Sequence, residues 1–209
     1  MTLWWLLVAC SEQTLRDGGY SEIAEPPGEE EDDIGGPPDW NDCSRGYQAD
    51  YFNLTSAHPD FDPPDTARDP DTFQDLDWWS AEYGAFTQFE PSLDQGTNWW
   101  PVDEGYAEDP AYFSVYLTAW IRVWQDGTAT FVAGAADDMW VSINNDTVIS
   151  LPGIKDFDSD VYEVYLESGQ YPLEVRFAHR SGDSGIRFRP VDSDLITICY
   201  PDFGSDSGQ

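Results

Sequence analysis

The sequence predicts an all-β fold, an antiparallel β-sandwich with long loops. Three observations carry that expectation. Short runs rich in Val, Ile, Thr, Tyr, Phe and Trp recur at regular spacing through the second half of the chain. Turn signals built from Gly, Asn, Asp and Pro separate those runs. No stretch carries the apolar period of a helix.

The elements follow in order. Residues 46–54 (GYQADYFNL) alternate enough to form a first strand. Residues 53–111 hold many Pro, Asp and Trp without a clean period, and read as long loops with a short helix or two. Loops of that length in a compact domain are commonly functional. Residues 112–123 (YFSVYLTAWIRV) are β-branched and aromatic, Gln125-Asp126-Gly127 turns, and residues 128–133 resume as a strand. Residues 139–143 alternate, Asn144-Asn145-Asp146 turns and residues 147–151 return, which is a hairpin. Residues 160–166 form another strand and Gly169-Gln170-Tyr171-Pro172 a turn. Residues 173–179 set Leu173, Val175 and Phe177 on one face against Glu174 and Arg176 on the other. Residues 181–185 are a loop, and residues 186–190 the last strand. Many short strands punctuated in this way make a sandwich or a barrel.

Composition narrows the function. Ten Trp, eleven Tyr and eleven Phe exclude a disordered acidic chain. Asp and Glu total 41 against nine Lys and Arg, a net charge of -32. Such a surface repels phosphate backbones and anionic headgroups and favours cations, so nucleic acid is not an expected partner. The sequence has no Gly-x-Ser-x-Gly elbow, no phosphate-binding loop and no dinucleotide fingerprint. Two histidines, His58 and His179, are too few for a transition-metal site and read as hydrogen-bonding residues. The expectation is a binding module, not an enzyme.

The ends read differently. Residues 1–10 (MTLWWLLVAC) are apolar but far short of a bilayer span, which takes about 20 residues. They resemble the end of a secretory signal, and Leu7-Val8-Ala9-Cys10 resembles a bacterial lipobox with Cys10 the lipidated residue. An ordinary signal and no signal at all are the alternatives. Ser11 after the cysteine implies outer-membrane sorting. Residues 11–42 contain EPPGEEEDDIGGPPD and read as a disordered acidic linker, a tether behind the anchor. Residues 43–200 form the domain, expected as a monomer, and residues 201–209 a polar tail. With Cys10 lipidated, Cys43 and Cys199 remain, one at each end of the aromatic-rich region. In an oxidising envelope they can bridge, for about 5 kcal/mol in the chain-entropy model; two free thiols are the alternative.

Asp137 and Asp138 stand side by side between two strand-like runs. Two carboxylates about 4 Å apart repel by about 4 kcal/mol at an effective dielectric of 20. A divalent cation reverses that penalty, and Ca²⁺, with its 6–8 oxygen ligands, suits carboxylates. A strand-end turn with salt bridges and a solvated surface pair are the other readings.

The run from Phe113 to Arg189 resembles the PA-14-like fold, a sugar-binding β-sandwich. The matching pieces are DGTATFVAGAADDMWVSINNDTVI, ESGQYPLEVRFAHR and GDSGIRFR. HPDFD at residues 58–62, DDMWVSIN at 137–144 and YPLEVRFAHR at 171–180 are similar to its fibro-slime branch. In calcium-dependent lectins of this superfamily, adjacent aspartates hold Ca²⁺ across a cis peptide. The resemblance therefore implies a metal site of Asp137 and Asp138, with Asp183 completing it from the loop Ser181-Gly182-Asp183-Ser184. It implies a glycan or extracellular polysaccharide as partner, bound at Asp137, Asp138 and Ser184, with Trp99 and Trp100 as stacking platforms. Trp78 and Trp79 are further aromatic candidates. The implied function is calcium-dependent carbohydrate recognition by an adhesin-like module of the bacterial cell envelope, lipid-anchored at the outer membrane or secreted. A structural or assembly module of the envelope or matrix, with Ca²⁺ only stabilising loops, is the alternative.

Overall fold

The computed structural model describes residues 37, 39–41, 43–55, 58, 73–74, 76–102, 111–191 and 194–201. Cys10, the linker up to residue 36, residues 59–62 of the HPDFD segment and the tail beyond residue 201 lie outside the described residues. The chain divides into two units, Met1–Asp33 and Ile34–Gln209, and the second holds every described residue.

Twelve strands are formed by the described residues of that unit. They are β1 (Cys43–Ser44), β2 (Tyr47–Asn53), β3 (Gly84–Glu90), β4 (Leu93–Asp94), β5 (Phe113–Val123), β6 (Gly127–Ala135), β7 (Asp138–Ile143), β8 (Asp146–Leu151), β9 (Asp158–Leu166), β10 (Gly169–His179), β11 (Ile186–Pro190) and β12 (Ile196–Pro201). One 3-10 turn, Ala81–Tyr83, precedes β3. The large sheet runs β1-β12-β5-β10-β7-β8, with β2 between β3 and β5; the smaller runs β4-β11-β6-β9. All the pairings described are antiparallel, and the whole is the expected β-sandwich.

The sandwich closes because alternate residues of both sheets are apolar. Val115, Leu117, Ala119 and Ile121 of β5, Val175 and Phe177 of β10, and Met139 and Val141 of β7 face Ala129, Phe131 and Ala133 of β6 and Phe188 of β11 in one buried core. Phe131 and Phe188 stack at 5.2 Å between centroids. β5 organises the large sheet. One edge pairs with β10 along all eleven residues; the other is shared end to end by β2 and β12. The large sheet's outer face carries a second apolar cluster of Leu54, Trp78, Trp140 and Ala178. The loop before β3 lays Trp78 and Trp79 there, and Arg176 stacks 4.3 Å from the Tyr116 ring centroid.

Three details depart from the expectations, and the disulfide agrees with them. β3 and β4 lie in the region read as loop: the charged and polar positions Thr87, Gln88 and Glu90 mask the β-period of β3. β12 follows β11, so β11 is not the last strand. The predicted turn at residues 169–172 is the start of β10, paired with Val123 to Trp120, because Tyr171 and Pro172 sit where the sheet edge tolerates them. The chain turns instead at Glu167-Ser168, where the Ser168 N–H donates to Asp126 Oδ1 at 2.7 Å. Cys43 and Cys199 are bridged across β1 and β12, with Cα atoms 5.7 Å apart.

Candidate functional site

The aspartate pair stands where β6 passes to β7. Asp137 takes φ 70°, a left-handed conformation that Asp adopts more readily than most residues. No cis peptide occurs among the described residues, so the Asp137–Asp138 link is trans and not the cis bond that the resemblance implied. Asp138 is the first residue of β7 and pairs with Ala178 of β10. Arg180, two residues beyond Ala178, therefore lies diagonally across from Asp138 on the same sheet face.

Both carboxylates are fully buried. Asp138 Oδ2 accepts from Arg180 Nε at 2.6 Å, and Oδ1 accepts from Arg180 Nη2 at 3.1 Å and the Gly153 N–H at 2.6 Å. The Arg180 side chain is itself buried, 5.3 Å from the Trp78 ring centroid. Asp137 Oδ2 accepts the N–H groups of Arg180 at 2.5 Å and Ser181 at 2.8 Å, with His179 Nδ1 at 3.1 Å. Its Oδ1 accepts the Lys155 N–H at 3.1 Å. Loss of hydration pushes the Asp138 carboxyl above the usual carboxylate range; the Arg180 charge and the Gly153 N–H pull it back, and the Asp137 charge pushes it further up.

Lys155 completes the centre from below. Its ammonium donates to the carbonyl oxygens of Asp137 at 2.5 Å, Leu151 at 2.8 Å, and Pro152 and Gly153 at 3.2 Å each. The Asp137 N–H returns a bond to the Lys155 carbonyl at 3.2 Å. The segment between β8 and β9 is thus tied to the aspartate turn by both backbone and side chain.

Two more loops close on the same end of the sandwich. The Trp99 N–H donates to the Ser184 carbonyl at 3.1 Å, Gln95 N–H to Ile186 at 3.0 Å, and Ala136 N–H to Gly185 at 2.8 Å. A Cβ on Gly185 would stand 1.9 Å from the Gly96 carbonyl oxygen, so this approach requires glycine. Four segments therefore meet around the pair: residues 95–100, 136–138, 152–155 and 180–185.

The predicted site residues divide accordingly. Asp137 and Asp138 are together at the centre. Asp183 is exposed, and among the described residues no three His, Cys, Asp or Glu side chains converge as a metal group, so it does not join them. Ser184 is fully buried with its hydroxyl lacking a hydrogen-bond partner, so it presents nothing to a sugar directly; the close packing of Gly185 on Gly96 draws it inward. Trp99 and Trp100 border the site but are half-buried edge-on packing residues. Trp99 lies 5.7 Å from Phe113, and Trp100 5.1 Å from His179, measured between centroids. Trp78 is core. Sequence reading missed Arg180, Gly153 and Lys155. Lys155 carried a signal, being the only lysine in a chain of net charge -32.

This donor set does not fit Ca²⁺. The ion needs oxygen lone pairs converging on one point. Here each of the four carboxylate oxygens already accepts an N–H, and a guanidinium with no route to solvent lies against Asp138. The geometry is that of the alternative reading, a strand-end turn with salt bridges.

A family model described as the PA14 domain matches residues 59–195. No curated protein matches the chain. Among solved structures, the PA14 sugar-binding domain from an RTX adhesin superposes with a TM-score of 0.53 at 17% identity, over 70% of this chain and 90% of that one. The subtype-switched epithelial adhesin 9 to 1 A domain from Candida glabrata, in complex with β-lactose, gives 0.50 at 17% identity, over 81% and 94%. An anti-sigma factor domain-containing protein gives 0.51 at 19% identity over 76% of this chain, which spans 46% of that protein's length. At these identities the likeness is one of fold.

Proposed function

Since the chain belongs to the PA14 domain family, we propose that it is a carbohydrate-binding, adhesin-like module rather than an enzyme, and that it works at the cell surface. The observation that carries this reading is the convergence of four loops on one end of a sandwich of this family. Solved structures with the same fold include a sugar-binding domain and a lactose complex. The proposed contact surface is the solvent side of those loops. Asn98, held at φ 62°, and Asp183 are exposed there, beside the half-buried faces of Trp99 and Trp100. Asn and Asp side chains orient sugar hydroxyls, and an aromatic edge meets the apolar face of a ring. Asp137 and Asp138 support the loops from beneath and do not touch the sugar.

Among the described residues no helix is long and apolar enough to cross a membrane. In this reading Cys10 supplies a lipid anchor and residues 11–42 the tether, in a bacterial envelope. The finer expectation, calcium-dependent binding, is one the donors around the pair argue against.

A glycan array probed with the full chain, with and without chelator, tests the proposal. Saturable binding to a defined glycan, weakened by Asn98→Ala or Asp183→Ala with the melting temperature unchanged, supports it. Silence across the array with a folded domain removes it, and leaves the structural or assembly module with a protein partner.

A further inference from the structure

We infer that this domain carries its own cations: Arg180 and Lys155 occupy the charge-balancing role that a divalent metal would fill beside Asp137 and Asp138, and they make the site independent of calcium. The inference concerns the same loop hub as the glycan reading but does not depend on any glycan.

Charge balance is the first support. Asp137 and Asp138 contribute two negative charges, and Arg180 and Lys155 two positive ones. The centre is neutral without an added ion. Bringing Ca²⁺ in beside all four would leave a buried excess of two positive charges. Entry therefore demands that a cation leave.

The second support is how firmly the cations are held. The Arg180 side chain is fully buried between Asp138 and Trp78, and its backbone N–H is bound to Asp137. Expelling the guanidinium would break the Nε and Nη2 bonds to Asp138 and open the Trp78 cluster. A hard cation of comparable charge does not recover both.

The third support is chemical mimicry. A cluster of backbone carbonyl oxygens beside a carboxylate is what calcium and other hard cations seek. Such a cluster exists here, formed by the carbonyls of Asp137, Leu151, Pro152 and Gly153, and the Lys155 ammonium fills it. An ammonium has three protons to donate and is a compact point charge, so it suits a ring of carbonyls where a planar guanidinium would not. The lone lysine of the chain stands in this cage, while Arg180 takes the planar, two-toothed position against a carboxylate.

The test is a calcium titration of the full chain after chelation, read by calorimetry and by melting temperature, with Asp138→Asn as the comparator. The comparator matters because a surface of net charge -32 collects divalent ions weakly at many points. Expected is the same shallow, non-saturating response in both proteins up to about 1 mM, where extracellular calcium modules fill. Arg180→Met is expected to melt lower in chelator and to gain a saturable calcium response that Arg180→Met with Asp138→Asn lacks. A saturable calcium response in the unmodified chain that Asp138→Asn abolishes overturns the inference. If Arg180→Met does not fold, the titration of the unmodified chain decides alone. Lys155→Met with an unchanged melting temperature in chelator overturns the share assigned to Lys155. Loss of glycan binding in any of these leaves the result standing, because no readout here involves a sugar.

Discussion

Removing the Arg180 guanidinium should be among the costliest single substitutions in this domain. Arg180→Met keeps most of the stem volume and deletes the charge. Asp138 then retains one donor, the Gly153 N–H at 2.6 Å, and loses the Nε bond at 2.6 Å and the Nη2 bond at 3.1 Å. Neither side chain of the pair reaches solvent, so water cannot replace those bonds. Breaking one partner of a buried ion pair costs about 3–5 kcal/mol. For a domain of this size, at about 2–4 °C per kcal/mol, the melting temperature should fall on the order of 10 °C. Asp138→Asn should also destabilise, because it strands the guanidinium. Together the two substitutions should cost less than their sum, since each removes the charge that the other leaves unpaired. Urea denaturation of the four proteins in chelator measures the cycle. Additivity within about 0.5 kcal/mol, or a cost below about 1 kcal/mol for Arg180→Met, would refute the assignment of Arg180 as the neutralising charge.

Three further outcomes follow from the same structure. Cys199→Ser opens a link spanning 156 residues and should cost about 5 kcal/mol by the loop-entropy relation; equal urea midpoints for oxidised and reduced protein would contradict this. Burial raises the hydroxyl pKa of Tyr47 and of Tyr51, the latter also by donating to Glu90. The folded state therefore keeps protons that the unfolded chain releases near pH 10, so stability from these groups is full below about pH 10 and falls as pH rises above it. A urea midpoint that stays flat up to about pH 11 would count against buried hydroxyls, and Tyr47→Phe should reduce the fall. Gly185→Ala forces a Cβ to 1.9 Å from the Gly96 carbonyl and should cost at least the ~1–3 kcal/mol of overpacking. Gly127→Ala, whose Cβ meets nothing closer than 3.8 Å, should be near neutral, and equal melting temperatures for the two would show that the 95–100 and 181–185 loops are not in contact.

The legible strands were those carrying either a continuous β-branched and aromatic run, as in β5 and β7, which are buried on nearly every residue, or a clean alternation, as in β10. β10 shows Leu173, Val175 and Phe177 buried and Glu174 and Arg176 half-buried, so the alternation is plain over that stretch. β3 and β12 escaped notice for different reasons. β3 has only its last residue, Glu90, buried, and that carboxylate is held by Tyr51 and Gln88 rather than packed as an apolar side chain. β12 follows a Pro- and Asp-containing turn and pairs only with the far end of β5 and with two residues of β1, so its place depends on a partner some seventy residues earlier. The aspartate pair was visible as an anomaly, but its partner was not. Nothing local marks Arg180 as the counter-charge, since the pairing runs through the β7–β10 register and 42 residues of chain.

That distance explains why adjacent acidic residues alone do not define a metal site. What decides is where the few cations of the chain go, and here there are nine. Several of them pin structure. Arg122 lies 3.8 Å from the Trp124 ring centroid, Arg176 covers the Phe73 and Tyr116 rings, and Arg187 holds Asp94 of the short strand β4 at 2.6 Å. At the loop end Arg180 pairs with the buried Asp138 carboxylate and Lys155 ties together the carbonyls of Asp137, Leu151, Pro152 and Gly153, where leaving a buried carboxylate unpaired would cost stability. In a strongly acidic protein every surface carboxylate competes for cations, and an external ion at this end would have to displace a guanidinium already on Asp138 and an ammonium already on the neighbouring carbonyl oxygens. A tethered charge has no dissociation to undergo and no dependence on ionic conditions beyond its own burial. Under the inference above, the loops at this end would keep one geometry whatever the divalent concentration outside, which would suit the proposed recognition surface.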